Sequence, residues 1–66
     1  MTKAKPYFTL VKREGNVWSP IFGDYDRRVV VDEMAEMPAS ARVRIIKHLD
    51  TRRAYVDAIS SINAGF

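Results

Sequence analysis

A chain of 66 residues, 47% of them hydrophobic, is long enough for one small domain and too apolar for a disordered segment. It contains no cysteine, which excludes disulfides and thiolate zinc sites as supports for the fold and fits a reducing, cytoplasmic setting. The net charge of +3 is weaker than expected of a dedicated duplex-DNA binder. No run of residues approaches the roughly 18 apolar positions of a membrane span. Residues 1–5 are basic without an apolar segment behind them, so we expect a flexible lead-in rather than a signal peptide.

Two strands joined by a tight turn are predicted first. Residues 7–13 are rich in aromatic and β-branched side chains, and residues 17–22 resume that composition after the turn. Gly15 and Asn16 tolerate the positive φ that a hairpin turn needs. Pro20 has no amide hydrogen to donate, so the second strand should lie at a sheet edge or contain a bulge.

A helix is predicted to follow the hairpin. Gly23 lets the chain bend, Asp24 is placed to cap the helix, and Asp26 adds negative charge near the positive end of its dipole. Pro38 ends the helix at about Met37. The buried stripe has the spacing i, i+4, i+7: Val30, Met34 and Met37.

The segment 42–49 is ambiguous from its pattern. Its alternation favours a third strand, whereas Ser40 could cap a helix with Val43 and Ile46 inward. We take the strand, because apolar and basic residues alternate along most of the segment.

A second helix is predicted at the end of the chain. Asp50-Thr51 offers an N-cap, and Gly65 stands where a C-terminal cap is expected. Its apolar stripe is Tyr55, Ala58, Ile59 and Ile62. The order β-β-α-β-α predicts a single α+β domain over residues 1–66. We expect a three-stranded antiparallel sheet in the order 2-1-3 with both helices on one face.

Strand alternation divides this predicted sheet into two faces. The face toward the helices carries Phe8, Leu10, Val17, Ile21, Val43 and Ile45. The open face is rich in aromatic, apolar and basic side chains: Tyr7, Thr9, Val11, Arg13, Trp18, Pro20, Phe22, Arg42, Arg44, Ile46 and His48. A face this apolar is typical of an interface.

Two functions fit the open face. The first is protein binding, by a second copy or by another protein, since Trp, Tyr and Arg are the usual interface anchors. The second is binding of single-stranded nucleic acid, with aromatic rings stacked on bases and Lys12 and the arginines holding phosphates. The modest charge favours protein binding. The candidate binding residues in either case are Tyr7, Trp18, Phe22, Arg42, Arg44 and His48.

Catalysis is not predicted. Asp24 and Asp26 could chelate a cation, but helix capping explains both carboxylates without a metal. His48 is the only histidine and has no partner nucleophile in the pattern. The glycines are scattered and form no phosphate loop. We therefore expect no catalytic residue, no metal site and no cofactor.

The stretch WSPIFGDYDR at 18–27, preceded by YFTLV at 7–11, resembles a group of small uncharacterised bacteriophage and prophage proteins. In that group a hairpin with a W-x-P-x-F-G-D-Y-D signature precedes an acidic helix, a basic strand and an alanine-rich helix. The resemblance covers most of the chain, and its specific part is the central motif. It implies a phage-type origin and a cytoplasmic setting in a bacterial host. The group brings no established activity, and by analogy with small phage proteins that dock on host proteins it favours protein binding.

Overall fold

The computed structural model describes residues 4–64, which form one sheet and two helices. The elements are β1 (Pro6–Glu14), β2 (Val17–Asp24), α1 (Arg27–Ala35), β3 (Val43–Leu49) and α2 (Arg52–Ala64). Both strand pairs are antiparallel, and the strand order is β2-β1-β3. The predicted α+β class and strand order are therefore confirmed, and the ambiguous segment is a strand.

The turn between β1 and β2 consists of Gly15 and Asn16. Gly15 has a φ of 63°, and no residue other than glycine has a positive φ in the described part of the chain. A positive φ at the first central position alone is the pattern of a type II′ hairpin turn, whose twist matches that of the flanking strands. The hairpin therefore needs its glycine, and Asn16 contributes no left-handed conformation.

β2 contains a bulge beside Pro20, and β2 is also an edge strand, so both alternatives predicted for this proline are found. Leu10 pairs with Phe22 while Val11 pairs with Pro20, which leaves Ile21 as the extra residue. The extra residue reverses the alternation beyond it. Phe22 therefore shares the face of Leu10 rather than the predicted open face, and Ile21 is 44% exposed rather than turned toward a helix.

The central strand is buried on both of its faces. Thr9, Leu10 and Val11 are 2%, 0% and 0% exposed, and successive strand residues point to opposite faces. Each helix contacts both edge strands, yet α1 and α2 do not contact each other in residues 4–64. Two helices lying across the same strands on one face would touch. The helices therefore lie on opposite faces, and the expectation that they share one face is wrong.

The two faces differ in what covers them. α2 lies on the face of Thr9 and Val11, where its Asn63 side chain hydrogen bonds to the backbone of Trp18. α1 lies on the face of Leu10, and its Val30 is fully buried. Because both faces of β1 are apolar, each needs a cover, and the predicted open face is packed against the second helix of the same chain. Val17, also predicted to face a helix, starts β2 beside the turn and is 54% exposed.

The cap of α1 is Asp26 rather than Asp24. The Asp26 side chain accepts from the Arg28 amide at 2.9 Å, whereas Asp24 belongs to β2 and accepts from the Asp26 amide at 2.8 Å. The hydrogen bond from the Arg28 amide, followed by that from the Arg28 side chain, lowers the pKa of Asp26 below its usual value. α1 ends with Glu36 as its C-cap, before the predicted end at Met37.

α2 begins where its sequence predicts. The Thr51 hydroxyl accepts from the Ala54 amide at 3.1 Å and caps the first turn. All four residues of the predicted stripe are half-buried: Tyr55, Ala58, Ile59 and Ile62. In residues 4–64 neither helix has the length and apolarity that a membrane crossing requires. The predicted C-terminal cap at Gly65 and residues 1–3 of the predicted lead-in lie outside the described residues, while the Lys5 carbonyl accepts from the Asp50 amide at 2.7 Å.

Candidate functional site

The structure separates the predicted binding residues into groups. Tyr7 and His48 lie together at the end of the sheet where α2 begins. Trp18 and Arg44 lie together near the other end of α2. Phe22 is on the α1 face, as the bulge dictates, and Arg42 is exposed immediately before β3. A single open platform that presents these six residues does not form.

The aromatic residues of the first group pack against one another. The rings of Tyr7 and His48 are 5.6 Å apart between centroids, and those of His48 and Tyr55 are 5.5 Å apart. Tyr7 also meets Tyr25 edge to face, at 4.9 Å and 87°. Edge-to-face contact is a favoured geometry for aromatic pairs. This cluster fastens the start of α2 to β1 and β3, so its rings serve the interior of the fold.

Both ring nitrogens of His48 are hydrogen bonded. Nδ1 lies 2.8 Å from the Leu49 carbonyl oxygen and Nε2 lies 2.8 Å from the Thr9 hydroxyl. A carbonyl oxygen only accepts, so Nδ1 carries a hydrogen, and in the neutral ring Nε2 accepts from Thr9. The contact satisfies the hydroxyl of Thr9, which is 2% exposed. His48 is therefore a packing residue of the α2 face.

Gly23 makes room for the Tyr7 ring. A Cβ atom at Gly23 would lie 2.6 Å from Cε2 and 2.7 Å from the hydroxyl oxygen of Tyr7, closer than such atoms approach in proteins. Tyr7 therefore covers a neighbouring strand at a position that has no side chain of its own. The sequence predicts this glycine as a bend before α1, and the structure gives it a steric role inside β2.

The ends of the two edge strands are joined by a side-chain hydrogen bond. Tyr25, just after β2, donates its hydroxyl hydrogen to the carboxylate of Asp50, just after β3. The bond to Asp50 is the main reason that the pKa of Tyr25 is raised above its usual value. The sequence gives no sign that these two residues meet, because the contact joins positions 25 residues apart.

A groove of about 580 Å³ runs between β3 and the C-terminal half of α2. Its floor contains Trp18, which is half-buried, and the guanidinium carbon of Arg44 lies 5.9 Å from the Trp18 ring centroid, within the range of a cation–π contact. The groove is lined by Trp18, Arg44, Ile45, Ile46, Lys47, Ala58, Ser61 and Ile62. Apolar and basic side chains thus meet in one depression.

Three cations follow the strand that borders this groove: Arg42, Arg44 and Lys47, which we call the basic row. All three are exposed. The ion pairs of the described chain join Arg28 to Asp26 and Arg53 to Asp57, and none involves the basic row. The positive charge of the row is therefore not neutralised by a carboxylate within residues 4–64.

The outer edge of β2 is occupied near its start. The Asn63 side chain accepts from the Trp18 amide at 2.7 Å and donates to the Trp18 carbonyl at 3.2 Å. An amide side chain here takes the two bonds that a neighbouring strand would make. Pro20 has no amide hydrogen to offer, and Ile21 bulges beside it. Asn63 carries no signal in the sequence, since an asparagine near a helix end is unremarkable.

The outer edge of β3 differs. The Asp50 amide donates to the Lys5 carbonyl, and the Arg13 amide donates to the Arg42 carbonyl, at the two ends of the β1–β3 ladder. Because bonding alternates along an antiparallel ladder, even-numbered residues from 42 to 50 face β1 and odd-numbered residues point their N–H and C=O groups outward. In the part of the chain that the structure describes, the outward residues that meet no further strand are Val43, Ile45, Lys47 and Leu49, and the carbonyl of Leu49 accepts from the Thr51 amide.

The two carboxylates considered for cation binding are engaged with backbone amides. Asp24 accepts from the amide of Asp26, and Asp26 accepts from that of Arg28. Residues 4–64 contain no group of three or more metal-ligating side chains.

The chain was compared with protein-family models, with curated proteins and with solved structures, and none of the three comparisons gave a match.

Proposed function

We propose that this chain acts by binding another protein, and that the groove between β3 and α2 together with the basic row is its contact surface. The observation that carries the proposal is the basic row itself. Its cations stand beside apolar side chains such as Ile46 and Ile62 and have no carboxylate partner in residues 4–64. An apolar depression rimmed by charge is the usual composition of a protein interface. The partner it fits is an acidic segment of another protein.

Protein binding is favoured over binding of single-stranded nucleic acid because most aromatic rings of the predicted site contact other side chains of the chain. A nucleic-acid platform presents aromatic faces on which successive bases stack. Tyr7 and His48 instead pack edge to face against Tyr25 and Tyr55, and Arg44 lies over the ring of Trp18. The same contacts give His48 a structural role, which supports binding rather than catalysis as the activity.

The resemblance to phage and prophage proteins suggests where such a partner would be met. We place the chain in the cytoplasm of a bacterial host, where the acidic segment belongs to a host protein. This origin and location rest on the motif at 18–27 alone.

Affinity capture with a charge-reversed variant tests the proposal. The variant combines Arg42→Glu and Lys47→Glu, and the matched control combines Arg27→Glu and Arg52→Glu. All four positions are exposed, and both variants change the net charge equally. The control residues begin the two helices, where a carboxylate is favourable. We call the variant at Arg42 and Lys47 the β3 variant. A host protein that binds the original chain and the control but not the β3 variant supports the proposal, provided that titration of the purified host protein repeats the pattern.

Equal capture of a host protein by the β3 variant and by the control would contradict protein binding through the basic row. The nucleic-acid alternative is tested by titrating single-stranded oligonucleotides at two salt concentrations. Phosphate contacts release counterions, so genuine binding weakens steeply with salt. Tight, salt-dependent oligonucleotide binding that the β3 variant loses would replace protein binding as the function of this surface.

A further inference from the structure

We propose that the β3 edge receives its partner as a fourth strand of the sheet, and that the partner is an extended acidic peptide segment. This inference rests on the proposed function and specifies how the contact is made. Peptides added to a sheet edge gain affinity from main-chain hydrogen bonds and specificity from alternate side chains. The β3 edge offers both.

The main-chain component comes from the outward groups of β3. Val43, Ile45 and Lys47 are alternate residues of one strand, so their N–H and C=O groups are spaced as a neighbouring strand requires. The next outward carbonyl, that of Leu49, is already bonded to the Thr51 amide at 2.8 Å, where β3 turns into α2. This bond sets the end of the available edge.

The side-chain component comes from the groove beside that edge. Arg44 and Ile46, whose side chains are on the α2 face, line it, and Ile62 of α2 forms the opposite wall. A strand laid against β3 directs every second side chain toward the α2 face. Those side chains enter the groove, while the others lie beside Ile45 and Lys47 on the α1 face.

Charge selects an acidic partner over a second copy. Two copies joined at β3 would bring basic rows together, and like charges across a strand pair are destabilising. A lysine on an exposed edge is also a common protection against pairing between copies. Each face of β3 sets a cation beside an isoleucine, Arg44 with Ile46 and Lys47 with Ile45. A peptide that alternates carboxylates with apolar residues therefore finds a cation for its carboxylates on one face of β3 and an isoleucine for its apolar residues on the other. This holds for either of the two faces.

The test uses a short synthetic peptide that alternates glutamate and valine. Its controls are the same peptide with lysine in place of glutamate and the same peptide with N-methyl groups on every backbone nitrogen. N-methylation of every nitrogen removes the donors along both peptide edges and keeps every side chain. Affinity is measured by titration, and amide hydrogen exchange of the chain is followed by NMR with and without peptide.

We expect the glutamate peptide to bind and to slow exchange at the amides of Val43, Ile45 and Lys47. The amides of Arg44 and Ile46 already bond to β1 and should change little. The lysine peptide should not bind, and N-methylation should weaken binding by more than about tenfold, since each main-chain bond contributes roughly a factor of five. Lys47→Glu should weaken binding by about threefold to tenfold, and the matched Arg27→Glu should not.

The outcomes that overturn strand addition are distinct from those that overturn the proposed function. If the glutamate peptide and its N-methylated form bind equally, or the outward amides stay unprotected on binding, strand addition is wrong and acidic-segment binding stands. If neither acidic peptide binds, both proposals fail. If the outward amides are protected without any peptide and sedimentation shows a dimer, a second copy occupies the edge and the acidic partner is wrong.

Discussion

The two outer edges of this sheet are treated in opposite ways. Along β2, the Asn63 side chain bonds to both backbone groups of Trp18, Pro20 lacks a donor, and Ile21 bulges. Along β3, alternate residues from Val43 to Lys47 point backbone groups outward and meet no strand in residues 4–64. Exposed edges invite pairing with other chains, so proteins usually block both or shorten them. One edge is blocked by a side chain and the other carries only positive charge, and the proposed binding of an acidic strand gives the second edge a use.

The difference also shows that a few residues are enough to block a sheet edge. The β2 edge is closed by local features, a proline and a bulge, and by one asparagine that α2 carries across from the far end of the chain. The β3 edge has cations in place of such features. Charge repels another copy of the same strand while it attracts a strand of opposite charge, so under the proposed function the edge selects its partner.

The largest expected effect comes from substitutions in β1, the central strand that pairs with both edge strands. Leu10→Ala should destabilise the chain by about 2–5 kcal/mol, because Leu10 is fully buried on the α1 face. Val11→Ala should cost more than about 1 kcal/mol, because α2 covers the other face. Urea unfolding measures both, and Ile21→Ala in the exposed bulge is the control, with a change within about 0.5 kcal/mol. A near-neutral Val11→Ala would mean that the α2 face is bare.

Amide exchange in the unmodified chain sharpens the comparison without a mutation. In β3, the amides of Val43, Ile45 and Lys47 should exchange at least about 100-fold faster than those of Arg44 and Ile46, which bond to β1. NMR-detected exchange measures this alternation. Uniform protection along β3 would show that something already covers its edge.

Removing the side chain that closes β2 should make the two edges alike. Asn63→Ala leaves the backbone amide and carbonyl of Trp18 without the bonds that Asn63 makes, and should cost about 1–2 kcal/mol. The Trp18 amide should then exchange rapidly. Ser60→Ala, at an exposed position of the same helix, is the matched control and should have little effect. Unchanged Trp18 exchange in Asn63→Ala would contradict the role given to the asparagine.

The smallest expected effect concerns the bond that joins the ends of the edge strands. The pKa of Tyr25 is raised from 10.0, chiefly by its hydrogen bond to Asp50. A raised pKa means that the contribution of this bond to stability is complete below about pH 10 and is lost as pH rises through the raised value. Tyr25→Phe should therefore lower stability slightly at neutral pH and should reduce the loss of stability above pH 10. Unfolding curves of both chains across that range measure it, and curves that run parallel would show that the bond makes no contribution.

The face of β1 predicted to be open is apolar, as its sequence indicates, but it is not a binding surface. The alternation of β1 predicts that the face with Thr9 and Val11 is too apolar to be exposed to solvent, and both residues are buried. The partner is α2 of the same chain rather than another molecule. Composition reports that a face needs a cover, but it does not say which segment supplies it.

The candidate site was likewise predictable in part. The sequence predicts Trp18 and Arg44 as binding residues, and both line the groove beside β3. Strand alternation groups Tyr7 and His48 with them on one predicted face, yet α2 covers that face and places the rings in a separate cluster. The importance of Lys47 and Asn63 depends on which backbone groups point outward, and that follows from hydrogen bonding between strands.

The sequence by itself determined the local elements: the hairpin at Gly15, the strand composition, the Thr51 cap and the apolar stripe of α2. These depend on φ preferences, side-chain shape and periodicity within a few residues of chain. Only the tertiary structure decided that the helices take opposite faces, that the bulge turns Phe22 away from Trp18, and that one edge of the sheet is closed while the other stays exposed. Those features depend on contacts between segments distant in sequence, such as that of Asn63 with Trp18 across 45 positions, and local preference carries no information about them.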